Sequence, residues 1–246
     1  MNSANAEKFA SSIRRHVVRM THKSGASHVG TSLSIADILA VLYGGVLRVD
    51  PARPGWSERD RFILSKGHGS AALYATLAER GYFPLNWLET FYGNGSRLIG
   101  HVSHNGIPGV EVSTGSLGHG LSIACGMALV GQRANLSHRI FTLLSDGECD
   151  EGSTWEAVLF AGHHGLENLV AIIDYNKIQS LGRVDEVLNL DPLAAKWLAF
   201  RWGVREINGH DVSEIHHALT HLPIESGKPS CIIAHTVKGK GVSFME

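Results

Sequence analysis

Cysteine is scarce in this chain. Cys125, Cys149 and Cys231 are widely spaced, and no Cys-x-x-Cys pair occurs. An odd, scattered set excludes a disulfide frame or a thiolate zinc site as the organising feature. It fits a reducing, cytoplasmic setting. Cys149 stands between Glu148 and Asp150, which raise a thiol pKa, so it reads as a bystander. A surplus of one charge is also missing. The formal net charge is −1, which offers no basic field to nucleic acid or an anionic membrane. No apolar run approaches the roughly 20 residues that span a bilayer. The opening MNSANAEKFASSIRRHVVRM lacks a signal peptide's apolar centre and reads as a polar amphipathic helix. No repeat, low-complexity tract or linker breaks the chain. Residues 1–246, with 43% hydrophobic and 18% charged residues, are expected to form one ordinary globular domain.

What is present is an alternation of apolar strands and helical stretches. Short buried strands are expected at 61–64, 139–144, 169–173, 204–207 and 231–235. Helices are expected at about 5–22, at 35–43 with Ser34 as cap and Asp37 completing a capping box, and at 71–80. Others are expected at 121–134, 153–161, 191–202, and after Asp211 to His221. The fold class is therefore α/β, a parallel sheet covered by helices on both faces. The small residues of 121–134 suit close packing on the sheet or on another subunit. A Gly-, His- and Ser-rich stretch runs from Tyr92 to Gly120. Irregular segments of that length inside a compact domain are usually functional.

The chemistry concentrates in Ser145-Asp146-Gly147-Glu148-Cys149-Asp150-Glu151-Gly152 and in Asn176-Lys177-Ile178. Each follows an apolar strand, so Asp146 and Asn176 both fall at the carboxyl edge where open α/β sheets bind ligands. Asp146 offers a hard anionic oxygen and Asn176 a neutral one. Mg²⁺ takes a few such oxygens together with phosphate and water. Gly147 is expected to turn the backbone sharply. The helix start near Ser153 is expected to bring a positive dipole end close by. The bland alternative is a simple turn after a strand.

The string SDGECDEGSTWEA, followed by AGHHGLENLVAIIDYNKIQSLG, resembles the thiamine-diphosphate motif, and specifically that of transketolases. Ser145 and Tyr175 stand where that motif has Gly and Asn. The resemblance spans nearly the whole chain but only the amino-terminal third of a long transketolase. It implies thiamine diphosphate and Mg²⁺ (or Ca²⁺ or Mn²⁺) as cofactors. It assigns the metal to Asp146, Asn176 and the Ile178 carbonyl. Ser116, Leu117 and Gly118, within a loop resembling Thr-Gly-Pro-Leu-Gly-Gln-Gly, would border the cofactor together with Gly147, Glu148, Asn176 and Ile178. His119 replaces that loop's Gln.

Single loop histidines are usually solvated or capping residues. His28, His68 and His101 are different in lying after strands or in Gly-rich turns, where imidazole suits proton transfer and sugar hydroxyls. The resemblance gives them catalytic and substrate-contacting roles. Lys66, beside His68, departs from the Asn of long transketolases. Glu156 could cap its own helix with Ser153. The resemblance places Glu151 and Glu156 at a subunit interface, and both roles can hold together.

The implied activity is transfer of a two-carbon ketol unit from a ketose, often phosphorylated, to an aldose. The glutamate that activates the cofactor belongs, in such enzymes, to a separate pyrimidine-binding domain. That implies a partner chain and an α₂β₂ assembly. The rival expectations are the α subunit of a 2-oxo acid dehydrogenase and a non-catalytic scaffold of the same fold.

Overall fold

The computed structural model describes residues 2–180 and 182–246. Five parallel strands form the sheet: β1 (Arg61–Leu64), β2 (Ile140–Ser145), β3 (Leu169–Tyr175), β6 (Gly203–Asn208) and β7 (Ser230–His235). Their spatial order is β1-β2-β3-β7-β6. Every residue of β2 and β3 is buried, as expected of parallel strands covered on both sides.

Alternation along the strands splits the core into two layers. Phe141, Leu143, Val170, Ile172 and Ile232 face one layer. That layer contains α1 (Ser3–Ser24), α3 (Ala36–Val41), α4 (Ser70–Glu79) and α9 (Val212–Thr220). Ile140, Leu144, Leu169, Ile173 and Ile233 face the other. There α5 (Gly120–Arg133), α6 (Gly152–His164) and α8 (Leu193–Ala199) cover the sheet. The expected α/β class and the five expected strands are what the chain forms.

Several local expectations fail for tertiary reasons. The helix expected at 35–43 is α3, which starts after Ile35 and passes into a π-helical turn at Leu42–Val46, and α2 (Val29–Ser34) lies before it without a counterpart among the expectations. Ser34 does not cap. Its hydroxyl reaches Asp174 Oδ2 at 2.7 Å, a buried carboxylate that competes for it. Asp37 pairs with Arg14 at 2.5 Å and His210 at 2.7 Å instead of closing a box. Helix α6 starts at Gly152 behind Glu151, with no side-chain cap, so Ser153 and Glu156 form no capping box. A tight 3₁₀ turn at Gly147–Asp150 takes up the chain before it. The helix expected at 191–202 is only Leu193–Ala199. Three further elements, β4 (Ile178–Gln179), β5 (Gly182–Arg183) and α7 (Val184–Val187), have no counterpart among the expectations. Asp211 does cap α9, accepting from the Ser213 and Glu214 amides at 2.9 and 3.1 Å.

The register brings the functional segments to one edge. Ser145 pairs with Asp174, and Tyr175 with His235. The residues that follow β1, β2, β3 and β7 therefore emerge side by side.

Candidate active site

A cleft of about 620 Å³ opens at that edge. His28, His68, His101, Leu117, Asp146, Gly147, Asn176 and Ile178 all line it. Val29, Gly30 and Thr31 of α2 face it as well, whereas no residue of α6 does. The helix start beside the cleft is thus that of α2. The start of α6 sits under Gly118, where an added Cβ would lie 2.8 Å from Glu151 Cβ.

The three histidines come from three separate loops. The His28 ring centroid lies 5.3 Å from that of His68 and 5.6 Å from that of His101. His28 has φ +67°, left-handed for a non-glycine residue. Such backbone persists where surrounding structure dictates it. Here the His28 carbonyl takes hydrogen bonds from the Ser32 amide and hydroxyl at 3.3 and 3.1 Å. The Tyr74 hydroxyl fixes the His101 segment, donating to its carbonyl at 2.9 Å and accepting from the Ser103 amide at 3.1 Å. Gly115, at φ +144°, lets its loop pass the His101 ring, where a Cβ would sit 2.9 Å from Cδ2. Burial pushes the His68 pKa down to about 3, aided by the charge on Lys66 and by the neighbouring histidines. Burial, His101 and Lys238 lower that of His28. Both rings are therefore neutral near pH 7, each with one donor and one acceptor nitrogen.

Asp146 is held for the cleft. Its two carboxylate oxygens accept from the Gly147 and Lys177 amides at 2.8 and 2.7 Å. Lys177 reaches Asp146 through another left-handed non-glycine backbone, φ +66°. Gly147 itself has no left-handed φ. The sharp turn expected there is a 3₁₀ start, and the unusual backbone is at Lys177. Burial, then the charge of Asp174, pushes the Asp146 carboxyl up to about 6. A cation is the natural relief for a carboxylate held that way. The Asn176 Oδ1 accepts from the Ile178 amide at 3.1 Å, and its Nδ2 donates to Asp174 at 2.9 Å. The amide oxygen, the Ile178 carbonyl and the Asp146 carboxylate each keep a further lone pair. Hard oxygens of this kind suit a divalent cation that takes its remaining ligands from phosphate and water. Among the described residues no cluster of three or more His, Cys, Asp or Glu could cage a metal by itself.

Behind the cleft lies an ionic floor that sequence reasoning missed. Lys66 and Asp174 are fully buried and 2.5 Å apart. Ser34, Thr236 and Asn176 also donate to Asp174. Lys66 therefore points into the core, and its departure from Asn does not alter the cleft wall. Burial would raise the Asp174 pKa, but the charge and hydrogen bond of Lys66 outweigh it and the group is held below its ordinary value. The available signal was a lysine and an aspartate at the ends of two apolar strands.

Glu148 is likewise buried, with its pKa raised by burial. It accepts from Ser65 Oγ and from the Gly118 amide, the latter at 2.9 Å. It does not reach the cleft, and neither do Ser116 or Gly118. Glu148 instead pins the 115–119 loop that presents Leu117. Glu151 and Glu156 are exposed, away from the cleft. Burial pushes the Cys149 thiol pKa up, and the neighbouring Glu148, Asp146 and Asp150 add to it.

A cleft at the carboxyl edge of a doubly covered parallel sheet, with a carboxylate and an amide oxygen on adjacent strand ends, defines a cofactor-binding α/β domain. The family described as transketolase, thiamine diphosphate binding domain, matches residues 5–246. A 6-deoxy-6-sulfo-D-fructose transketolase subunit of a Clostridium species is 48% identical over 96% of this chain and 86% of its own length. An apulose-4-phosphate transketolase subunit of Actinobacillus succinogenes is 44% identical over 98% and 87%. Transketolase of Campylobacter jejuni superposes with a TM-score of 0.92 at 36% identity, over 98% of this chain and 39% of that one. The chain belongs to the transketolase family and forms its thiamine-diphosphate-binding domain. It is a transketolase-type enzyme subunit, matching the separate subunits over most of their length and the long enzymes over little more than a third.

Proposed function

We propose that this chain is the diphosphate-binding subunit of a split transketolase, moving a two-carbon ketol unit from a ketose or ketose phosphate to an aldose or aldose phosphate. The observation that carries the reading is one cleft that holds both the histidine trio and the oxygens of Asp146, Asn176 and Ile178. Asp146, Asn176 and the Ile178 carbonyl would hold Mg²⁺, with Ca²⁺ or Mn²⁺ as substitutes, and Leu117 and Gly147 would border the diphosphate. When bound, thiamine diphosphate supplies the electron sink for carbon–carbon chemistry. The protein's share is to orient and to move protons. Neutral His28 and His68 and the nearby His101 can each donate to a sugar oxygen or accept its proton.

Two relatives are named as transketolase subunits, which supports a partner chain for this one. In this reading the partner brings the pyrimidine-binding domain with its carboxylate. Apolar side chains on the outer faces of α5 and α6 offer it a surface: Ile123, Val130, Leu159 and Phe160 are 37%, 65%, 57% and 39% exposed. Glu156 precedes Leu159 and Phe160 by three and four positions, which puts it on the same face of α6. Two such pairs closing about a twofold axis give α₂β₂. The test is a ketol-transfer assay on this chain mixed with the candidate partner, run beside pyruvate decarboxylation. Decarboxylation without ketol transfer would assign the pair to the 2-oxo acid dehydrogenases. Neither activity, with no thiamine diphosphate bound by the mixture, would leave a scaffold.

A further inference from the structure

Tyr92 is an exposed aromatic that none of these roles uses. It is 58% exposed, and its backbone is left-handed at φ +57°, an outlying state for a bulky residue. A short closed loop imposes that state. The Tyr92 amide donates to the Leu98 carbonyl at 2.8 Å and the Ser96 amide to the Gly93 carbonyl at 3.1 Å, while Leu98 is fully buried. The loop lays the ring over Gly100, where an added Cβ would lie 2.5 Å from Tyr92 Cε2. His101 follows directly. A hollow of about 40 Å³ opens there, lined by Tyr92, Ser32 and Ser70 together with His28, His68 and His101. The three histidines thus form a wall with two sides. One side faces the cleft that holds Asp146 and Asn176, and the other faces the hollow, which neither of those residues lines. The Ser32 hydroxyl donates to the His28 carbonyl at 3.1 Å and the Ser70 hydroxyl to the Gly100 carbonyl at 2.8 Å. Both hydroxyl oxygens keep lone pairs, so the hollow suits a group that brings its own proton.

We propose that Tyr92 is a specificity-determining residue of the sugar site: its ring walls the hollow beside the histidine trio, and its hydroxyl binds a hydroxyl on the sugar's carbon chain. The inference rests on the function proposed above. A sugar chain presents C–H faces between its hydroxyls. Tyrosine presents an apolar ring with a polar tip, so one side chain meets both. The hollow has room for about two or three water-sized groups, which matches one hydroxymethyl unit rather than a whole sugar. An aldehyde that lacks the hydroxyl leaves the phenol and the serines without a partner, and a hydrogen-bonding site discriminates in that way. Left-handed backbone at a bulky residue persists only where the surroundings dictate it, and it clusters where ligands are held.

The full-length chain, mixed with its candidate partner, would be assayed for ketol transfer to two matched pairs of aldehydes. Glycolaldehyde and acetaldehyde differ by one hydroxyl, as do D-glyceraldehyde and D-lactaldehyde. Tyr92→Phe should shrink the kcat/KM preference for the hydroxylated member of at least one pair about tenfold, the size of one hydrogen bond. Tyr92→Gly should raise KM for the hydroxylated aldehydes about tenfold, with kcat and thiamine diphosphate affinity nearly unchanged. Its urea midpoint should not fall, because glycine takes the left-handed backbone without strain. A tyrosine that only steadies its loop predicts a different pattern: a lower midpoint and a lower kcat, with KM and the aldehyde preferences unaltered. That pattern, or unchanged KM and preferences in both variants, would overturn the proposal. Absence of ketol transfer by the wild-type mixture to any aldehyde would instead remove the proposed function, and this proposal with it.

Discussion

Asp146 carries opposing demands. Burial and Asp174 push its carboxyl up to about 6, so the folded protein holds an anion it would rather lose. That cost is reasonable only if a cation uses it. Asp146→Ala should leave the fold intact, with an unchanged circular dichroism spectrum. It should lower metal-dependent cofactor affinity at least about 100-fold, beyond what an outer-shell change costs. Wild-type cofactor affinity in the variant, measured by calorimetry with the partner present, would remove Asp146 from the metal site. In the proposed function His101 would touch substrate rather than diphosphate. His101→Ala should slow turnover about 10²–10⁴-fold, as loss of a proton-transfer or oxyanion group does, and spare cofactor affinity. Steady-state kinetics at saturating cofactor check this, and an unaltered rate would return His101 to the solvent. For His68 the consequence appears in stability. Its ordinary pKa is 6.5 and its folded value about 3. Between those values the unfolded chain binds a proton that the folded chain refuses, so stability falls as pH falls. The slope from one such group is at most about 1.4 kcal/mol per pH unit. Asp146, with its raised pKa, acts in the opposite direction over part of the same window. The informative quantity is therefore the difference between wild type and His68→Gln in urea unfolding at pH 7 and pH 5. The variant should lose less stability on acidification, and equal losses would show that His68 titrates normally in the fold.

The elements divide by how locally they are determined. Strands β2 and β3 were legible because nearly every residue is apolar or small and all are buried on both faces. Helix α9 was legible because Asp211 makes its cap within its own turn. The histidine loops were legible as glycine-rich breaks after strands, and the Asp146 and Asn176 positions as strand ends. What stayed hidden depends on distant partners. Ser34 reads as a cap until Asp174, 140 residues away in sequence, takes its hydroxyl. Glu148 reads as a cleft residue until Ser65 and Gly118 are seen to bury it. Lys66 reads as a substrate-side substitution until its buried ion pair appears. The β4–β5 hairpin is too short for any periodicity to show. Gly162 is a further example, because a helical glycine is ordinarily an economical target for substitution by alanine. Here α6 passes so close to the chain end of α8 that a Cβ on Gly162 would run into the Phe200 carbonyl oxygen. Gly162→Ala should therefore destabilise the fold by about 1–3 kcal/mol, as overpacking does, despite its gain in helix propensity. A higher urea midpoint for the variant would show that the helices can separate without cost.

Under the proposed function the chain presents half of a catalytic site and a surface to complete it. In that reading the cleft's oxygens would hold a metal and its histidines a sugar, and the carboxylate that activates the cofactor would come from another chain. Under the proposed function the exposed apolar side chains of α5 and α6 would recruit it, since an exposed apolar patch is the usual mark of an interaction surface. The purified chain should accordingly show no ketol transfer at saturating thiamine diphosphate and Mg²⁺. Mixing with a pyrimidine-domain subunit should restore activity and shift light scattering to the mass of an α₂β₂ assembly. Leu159→Asp with Phe160→Asp should weaken that assembly and its activity together while leaving the isolated chain's unfolding curve nearly unchanged, because both side chains face solvent. Burying two unpaired carboxylates at an interface costs several kcal/mol, so assembly should weaken by at least about 100-fold. Full activity from this chain alone would overturn the split-enzyme reading. Assembly unaffected by the double substitution would move the partner to another face, with the cleft chemistry left standing.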